Sequence, residues 1–555
     1  MTNQEVANIF DLLSKIMDIH GANSFKTKTY STAAYRIEKM AEPLEQMQPE
    51  QIRSLSGVGE AVAGKILEIL ETGRLALLDE YLSGTPPGVV EMLSIKGIGP
   101  KKIAVLWKEL GAETIGELEY ACNENRLITL KGFGAKTQES ILKSITFMRN
   151  HMGFYLWAEA EAVAQQVLSN IRNLFPQNHI GFTGEYRRQL PALASVSFVT
   201  DLNGTQIRDA FEAFPDAVFE QDADTLYVRV PNAPVFHFYC AEPGRFYHRQ
   251  FDTSAGPLFA DAFAARYTLP EILHSEEDIF RANGIAYIPP VLRESAEILD
   301  KAAAGDLPEL IQPSDIKGII HSHSTWSDGV HTLEQMAIAA RDKGYEYLVI
   351  SDHSQIAFYA NGLSPERILS QHAEIDALNA RLAPFRIFKS IEADILHDGS
   401  LDYTPEILAS FDLVIASVHS NLKMSEEKAM QRLLTAVANP YTRILGHPTG
   451  RLLLSREGYP VDHRRLIDAC AEHKVVIEIN AHPRRLDLDW SWIPYALEKG
   501  VMLSVNPDAH SVNGMDLVKY GVYAAQKGGL VKERNLSSMS REAFEGFLLE
   551  GKQAL

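Results

Sequence analysis

The sequence predicts a multidomain protein of α+β and α/β class, with a helical N-terminal region, an α+β middle region and an α/β C-terminal region. Its 555 residues exceed the usual size of one domain, about 100–200 residues. A Gly-x-Gly turn followed by a helical pattern occurs three times before residue 150. After residue 313, short β-rich runs that end in His, Asp or Glu alternate with helical patterns, which favours a parallel sheet.

The composition is that of an ordinary globular protein, with 46% hydrophobic and 23% charged residues. No apolar run approaches the roughly 18 residues that span a bilayer, and the first residues lack a signal pattern, so we expect no membrane segment. Cys122, Cys240 and Cys470 are scattered, which suits a reducing cytoplasm. The net charge of −19 argues against nonspecific coating of nucleic acid, so nucleic-acid binding needs local evidence.

The N-terminal repeats provide that local evidence. They read LSGVGEAVAGKI from Leu55, IKGIGPKKIAVL from Ile95 and LKGFGAKTQESI from Leu130. The glycines allow a tight turn, and the N–H groups at the following helix N-terminus can hold a phosphate. The pattern resembles helix–hairpin–helix units that bind the DNA backbone; three packing hairpins are the alternative. The candidate DNA contacts are Gly57, Gly59, Lys65, Gly97, Gly99, Lys101, Lys102, Gly132 and Gly134.

The C-terminal region places a possible metal ligand after each of several β-rich runs. His321 and His323 are two residues apart, so in a strand both imidazoles lie on one face. Imidazole and carboxylate without thiolate suit Mn, Zn or Fe. The candidates exceed what one ion needs, so the sequence predicts two or three divalent metals. They are His321, His323, Asp328, His353, Glu392, His419, His447, Asp508 and His510.

The motifs in this region resemble the PHP (polymerase and histidinol phosphatase) domain, and more narrowly that of bacterial family X DNA polymerases. They read HSHSTWSDG, ISDHS, EADI, SVHS, ILGHPTGRLLL, INAHPRRLDL and DAHS. The resemblance implies a distorted (β/α)7 barrel around a trinuclear metal site. It also implies phosphoester hydrolysis, typically 3′→5′ exonuclease action on DNA with manganese favoured.

The resemblance also implies how the ligands divide among three metals. His321, His323, Glu392 and Asp508 would hold one metal, Glu392, His419 and His447 a second, and Asp328, His353 and His510 a third. Glu392, His323 and Asp508 are the predicted catalytic residues. Two neighbouring positions depart from the family pattern, His482 and Pro507, but neither is a ligand. Arg451 and Arg485 are candidates for a phosphate clamp, with structural salt bridges as the alternative.

The middle region resembles a family X polymerase core that has lost its catalytic carboxylates. The segment TGEYRRQLPALASVSFVTDL places Ser195 and Ser197 where the family has an Asp-x-Asp pair. The third carboxylate position falls near Phe236. Serine is a weak ligand for Mg²⁺, so we predict a folded, nucleotidyltransferase-like core without polymerase activity. The alternative is a metal site rebuilt from Asp201, Asp222 or Asp224.

The predicted domains are a helical DNA-binding domain (1–85), a fingers-like region (86–150), a degenerate polymerase palm and thumb (151–300), a linker (301–312) and a PHP domain (313–555). We expect a metal-dependent DNA phosphodiesterase that processes 3′ ends in DNA repair. Its expected partner is DNA with 3′ ends, gapped or damaged, and its oligomeric state is left open. The alternatives are a histidinol-phosphate-type phosphatase, a polymerase that is still active, and a noncatalytic repair scaffold.

Overall fold

The computed structural model describes residues 1–38, 40, 42–55, 58–95, 97–149, 153–231 and 233–553. The chain divides into two compact units, Met1–Met148 and Arg149–Leu555. Within the described ranges, no helix combines the length and apolar character needed to cross a membrane.

The N-terminal unit is helical, as predicted. Its first helix begins with a capping box, in which Thr2 and Glu5 satisfy each other's backbone N–H groups. Two apolar cores follow along the chain, one that includes Phe10 and Ile66 and another that includes Ile103. The helices are α1 (Asn3–Ile19), α2 (Ser24–Glu38), α3 (Pro49–Arg53), α4 (Glu60–Thr72), α5 (Ala76–Ser83), α6 (Pro87–Glu91), α7 (Pro100–Lys108), α8 (Ile115–Asn123) and α9 (Ala135–Arg149).

The middle region is built on a five-stranded sheet of order β2-β4-β7-β6-β5, in which only the β4–β7 pair is parallel. Phe198 and Phe238 lie in a core that also includes Ile171 of α10 and Ile207 of α12. The elements are β1 (Tyr155–Leu156), α10 (Trp157–Leu174), β2 (Ile180–Thr183), α11 (Gly184–Arg187), β3 (Ala192–Leu193), β4 (Ser195–Thr200), α12 (Gly204–Ala210), β5 (Val218–Asp222), β6 (Thr225–Arg229), β7 (Val235–Cys240), α13 (Phe246–Thr253), α14 (Pro257–Arg266), α15 (Glu277–Ala282) and α16 (Glu297–Ala304).

A buried ion network joins α11 to the segments that flank α15 and α16. Glu276 accepts two hydrogen bonds from Arg187, at 2.9 and 2.8 Å, and two from Arg293, at 2.8 and 3.1 Å. The Arg293 side chain is 0% exposed and the Glu276 side chain 4% exposed. Two guanidinium groups therefore depend on one buried carboxylate for their countercharge.

The C-terminal region is a nearly closed barrel of seven parallel strands, which confirms the predicted barrel. The strand order is β14-β13-β12-β11-β10-β9-β8. Two backbone hydrogen bonds connect the first and last strands of the barrel: Ala509 N donates to His321 O, and His323 N donates to Ala509 O. The elements are β8 (Gly318–Ser322), α17 (Leu333–Asp342), β9 (Tyr347–Ile350), α18 (Pro365–Leu382), β10 (Arg386–Asp394), α19 (Pro405–Leu408), β11 (Leu413–Ser417), α20 (Glu426–Val437), β12 (Ile444–Leu445), α21 (His463–His473), β13 (Val476–Asn480), α22 (Ile493–Glu498), β14 (Leu503–Asn506), α23 (Val518–Lys527) and α24 (Arg541–Gln553).

The middle region packs on helix α23 of the barrel. Lys527 Nζ, on a side chain that is 0% exposed, donates to Glu294 Oε1 at 2.6 Å and to Arg188 O at 3.0 Å. The Trp157 ring contacts the edges of two tyrosine rings on α23. Within the predicted linker, Ile311 is buried in the barrel core. The predicted domain boundaries stay predictions.

Candidate metal centre

The barrel brings all nine predicted ligands to one end, because parallel strands finish at the same edge. Each ligand lies at, or shortly after, the carboxyl end of its strand, and none of the nine side chains is more than 6% exposed. β8 supplies His321, and the loop after it supplies His323 and Asp328. His353 follows β9, Glu392 lies in β10, His419 follows β11, His447 follows β12, and Asp508 and His510 follow β14.

Glu392 lies at the centre of the cluster. Its Oε1 is 3.0 Å from Nε2 of both His419 and His447 and 3.3 Å from His321 Nε2. Its Oε2 is 3.0 Å from His353 Nδ1. One carboxylate with histidine nitrogens around both of its oxygens has the position of a ligand shared by neighbouring cations.

The remaining carboxylates complete three overlapping groups that could each hold an ion. Asp508 Oδ1 lies 3.0 Å from His323 Nε2 and 3.3 Å from His321 Nε2. Asp328 lies 3.5 Å from His353 Nε2. The groups are His321, His323 and Asp508; His353, Glu392 and His419; and His323, Asp328, His353 and His510. These groups resemble the implied ligand sets, except that His323 and His353 each belong to two groups, Glu392 belongs to one and His447 to none.

The electrostatics of the cluster suit a set of metal ligands. Burial opposes ionisation of Glu392, but the charges of His419 and His321 hold its pKa well below the ordinary value. Burial lowers the pKa of His323 to about 3, so its imidazole is neutral at pH 7. Glu392 Oε2 is buried and receives no hydrogen bond of acceptable geometry from the described residues. Ionised carboxylates and neutral imidazoles are the forms that coordinate divalent cations. Burial lowers the pKa of His321 and that of His419, but the neighbouring carboxylates outweigh it and raise both, so these two imidazoles would release a proton when a cation binds.

Three of the candidate ligands have left-handed backbone conformations. The φ angles are 62° at His321, 23° at His447 and 52° at Asp508. His321 also lies at an irregularity in the pairing of β8 with β9. A non-glycine residue with positive φ is uncommon, and such residues concentrate at functional sites. The strand alternation assumed for His321 and His323 is therefore interrupted, although both imidazoles are buried in the cluster.

Glu478, in the middle of β13, is a positioning residue that the sequence analysis missed. Its Oε1 accepts from His321 Nδ1 at 2.6 Å, and its Oε2 accepts from the backbone N–H of His447 at 2.7 Å. A carboxylate can only accept, so Nδ1 of His321 carries a proton and Nε2 is the ring nitrogen that faces the cluster. The one available signal was an acidic residue inside the apolar run VIEIN.

Two aspartates outside the ligand set hold the ligand loops. Asp352 accepts hydrogen bonds from the backbone N–H groups of Ser324 and Ser327, in the loop that carries Asp328. Asp394 Oδ1 lies 3.2 Å from His419 Nδ1. Such partners keep ligands in place before an ion arrives.

Replacing Glu478 with Gln is expected to weaken metal binding about 10- to 100-fold. An amide cannot accept from both His321 Nδ1 and His447 N, because its NH2 group would face one of these donors. Titration of the metal against a competing chelator measures the effect. Glu472→Gln, on the exposed surface of α21, is the matched control. Equal affinities for the two variants would contradict the positioning role.

The two predicted phosphate-binding arginines differ in their surroundings. Arg451 donates to the carbonyls of Arg485 and Leu486 and to Asp489, so it braces the loop after β13. Arg485 Nε lies 3.9 Å from Asp508 Oδ2, and its side chain is 5% exposed. Arg485 is thus the arginine that approaches the cluster, whereas the contacts of Arg451 are structural.

The middle sheet brings no carboxylate to the positions of the predicted lost site. Ser195 and Ser197 are both on β4, and Ser195 Oγ lies 3.3 Å from His237 Nδ1. Phe236, the residue predicted near the third position, does not face the two serines. It pairs with Val196 and is buried in the core, so the alternation of β7 places His237 beside the serines instead.

Among the residues that the structure describes, the alternative carboxylates Asp201, Asp222 and Asp224 belong to no group that could hold a metal ion. Asp201 accepts from the His179 backbone N–H and lies 2.8 Å from the His179 ring. Asp224 forms a 2.8 Å ion pair with Arg249. These described contacts already give Asp201 and Asp224 partners.

Each of the three N-terminal turns leads into a helix with the same geometry. The carbonyl oxygens of Gly59, Gly99 and Gly134 each accept from the N–H groups three and four residues on, at the starts of α4, α7 and α9. Gly97 and Gly132, the first glycines of their turns, have φ angles of 95° and 87°. The free N–H groups of a helix start can bind an anion.

The predicted DNA-contact residues are distributed along these turns and helices. Lys65 and Lys102 are partly exposed and Lys101 is exposed. Lys102 Nζ lies 5.5 Å from the centre of the Phe133 ring, which links the second repeat to the third. Gly57 lies outside the described residues. The individual DNA contacts stay predictions.

Comparisons with known proteins agree with this organisation. A Helix-hairpin-helix domain model matches residues 1–75, and a SAM-like Helix-hairpin-helix tandem model matches residues 89–145, which confirms the predicted motif. The chain is 33% identical to the DNA polymerase/3'-5' exonuclease PolX of Bacillus subtilis, over 99% of each chain. It is 30% identical to Probable phosphatase TTE1963 of Caldanaerobacter subterraneus, over 34% of this chain and 74% of the relative. Probable phosphatase YcdX of Escherichia coli is 27% identical over 29% of this chain and 62% of its own length.

Proposed function

The chain belongs to the bacterial family X DNA polymerases that carry a PHP domain, and from this we propose that it is a metal-dependent DNA phosphodiesterase that removes nucleotides from 3′ ends. The observation that carries the proposal is the buried cluster of nine His, Asp and Glu side chains at one end of the barrel, in which His447 joins the other eight through Glu392. Divalent cations held there would lower the pKa of a coordinated water and offset negative charge on the phosphate oxygens. We propose manganese as the cation, with zinc or iron as alternatives.

Different residues of the chain would have different roles at this site. Glu392, His323 and Asp508 would hold the cations against the phosphate, and Glu478 would keep Nε2 of His321 directed at them. Arg485, near Asp508, would donate to a phosphate oxygen, since a guanidinium matches two such acceptors. Burial of the cluster strengthens these charge interactions, because little water is present to screen them.

The N-terminal repeats would bind the DNA backbone. The three glycine turns present helix starts, and the second carries Lys101 and Lys102. This local arrangement supports phosphate binding in a chain whose overall charge of −19 opposes it. We propose DNA with 3′ ends, including gapped or damaged duplex, as the partner.

We further propose that the middle region has no polymerase activity. Polymerisation needs carboxylates that hold two Mg²⁺ ions, and the corresponding positions are Ser195, Ser197 and His237. Arg187 and Arg188 of the same segment are already paired with Glu276 and Glu294. Both arginines therefore already have a carboxylate partner, which they would have to give up to bind an incoming triphosphate.

An assay on a 5′-labelled primer–template with Mn²⁺, with and without dNTPs, tests both proposals. We expect the primer to shorten under both conditions, and the shortening to disappear in His323→Ala. His473→Ala, at an exposed position on α21, is the matched control and should behave as wild type. Extension of the primer would contradict the proposed loss of polymerase activity.

A small-molecule phosphatase is the second candidate, because several relatives carry the name probable phosphatase. Histidinol phosphate is therefore assayed beside the primer–template. Hydrolysis of histidinol phosphate without primer shortening would overturn the nuclease proposal in favour of this candidate.

A further inference from the structure

A cleft of 670 Å³ opens between the loops that follow β12 and β13. Its walls include Thr449, Arg456, His463, Asp487 and Trp492. None of these residues belongs to the nine candidate ligands. The volume is large enough for a nucleoside, and typical small-molecule sites occupy about 300–1,000 Å³.

The cleft shares structure with the metal centre. Asn480 donates its backbone N–H to the carbonyl of Asp487 at 2.7 Å, and its side-chain amide to Asp508 Oδ2 at 3.0 Å. Thr449 follows the candidate ligand His447 by two residues. The cleft and the candidate metal centre are therefore connected through Asn480 and through the loop after β12.

Asp487 has one carboxylate oxygen that is buried without a hydrogen bond. Its Oδ2 accepts from the backbone N–H and the hydroxyl of Thr449, at 2.9 and 2.7 Å. Its Oδ1 receives no hydrogen bond from the described residues, and the residue is 0% exposed. A buried acceptor without a donor is unfavourable. Because Asp487 lines the cleft, a shift of the cleft wall on binding would bring its Oδ1 within reach of an N–H group of a ligand.

Besides this polar acceptor, the cleft is lined by two aromatic rings. The rings of His463 and Trp492 are stacked, with centroids 4.7 Å apart and planes 3° from parallel. Aromatic side chains support nucleobases by stacking in many single-strand binding proteins. Arg456, whose Nη2 donates to Gly450 O at 2.8 Å, adds positive charge to the same cleft.

We propose that this cleft binds the base of a nucleotide next to the scissile phosphodiester, with Asp487 Oδ1 accepting an N–H from that base. This inference rests on the proposed nuclease function and specifies its substrate. Adenine, cytosine and guanine each carry an amino group. Thymine carries none, and its ring N–H lies between two carbonyl oxygens that the carboxylate repels. Strands with an amino-bearing base at this position should therefore be hydrolysed faster than strands with thymine.

The test uses two series of 5′-labelled single strands and the full-length protein with Mn²⁺. One series varies the 3′-terminal base and the other varies the penultimate base. In one of the series, wild type should hydrolyse the amino-bearing strands about tenfold faster than the thymine strand. Asp487→Asn should reduce this ratio to below about twofold, because the amide oxygen would remain with the Thr449 donors and the NH2 group would face the base, where it can donate to a thymine carbonyl. A ratio within one sample does not depend on how much of the protein is folded or loaded with metal.

Glu457→Gln, an exposed carboxylate on the rim of the cleft, should keep the wild-type ratio. Equal rates for all four bases in both series would overturn the inference, and so would an unchanged ratio in Asp487→Asn. If no strand is hydrolysed, the proposed nuclease function has failed, and calorimetric binding of dCMP and dTMP decides the inference separately. Tighter binding of dCMP that Asp487→Asn removes would support it, whereas equal binding would overturn it.

Discussion

Replacing Glu392 with Gln is expected to lower DNA hydrolysis by on the order of 10³-fold. Glu392 is surrounded by His321, His353, His419 and His447 and supplies the negative charge shared by the cluster. An amide keeps the shape of the side chain but removes that charge and replaces one ligand oxygen with a donor. The rate constant for shortening of a 5′-labelled strand, with the metal content of each protein sample, measures the effect.

The control for this variant is Glu406→Gln, which changes an exposed carboxylate on α19 of the same barrel. The control should retain wild-type hydrolysis and metal content. Wild-type turnover by Glu392→Gln would show that the barrel site is not where hydrolysis occurs. Lost turnover with a full metal content would place the role of Glu392 at the reacting phosphate instead of at metal retention.

The largest effect on stability is expected for Glu276→Gln, which should lower the free energy of unfolding by about 3 kcal/mol at pH 7. Burial alone would raise the pKa of Glu276, but the charges of Arg293 and Arg187 outweigh it and lower the pKa to about 2. Removing the carboxylate leaves the buried Arg293 guanidinium and the half-buried Arg187 guanidinium without their countercharge. Urea unfolding of the full-length protein, followed by tryptophan fluorescence, measures the change.

The pH dependence distinguishes this ion network from a general packing defect. A carboxyl group whose folded pKa is depressed contributes stability above its unfolded pKa, here 4.5. That contribution is lost as the pH falls from 4.5 through about 2. The difference between wild type and Glu276→Gln should therefore shrink over this range. Glu277→Gln, the exposed neighbour, should match wild type throughout, and a difference independent of pH would contradict the ionic explanation.

The nine candidate ligands could be predicted from the sequence because each one follows a β-rich run in chain order. Parallel strands then bring such residues together without any further information. The barrel and the helical N-terminal region were predictable for the same reason, since both repeat one local pattern along the chain. The motif resemblance added the number of strands.

Residues whose role depends on neighbouring strands could not be predicted in this way. Glu478 matters because β13 lies beside β12, where it reaches His447, and because the barrel curves back to His321. The third carboxylate position was assigned to Phe236 instead of His237, because one residue of register reverses the face of every side chain in a strand. The open oxygen of Asp487 became visible only in three dimensions.

The buried Lys527 has a consequence for why the middle region persists. Its ammonium group donates to Glu294 and to the Arg188 carbonyl, both in the middle region. Unfolding of the middle region would therefore expose part of α23 and separate the Lys527 charge from its partner. Segments joined in this way open together as one cooperative unit. Substitutions that unfold the middle region would then also destabilise α23 of the barrel, whatever reaction the middle region performs. A middle sheet without catalytic carboxylates would still contribute to the stability of the barrel.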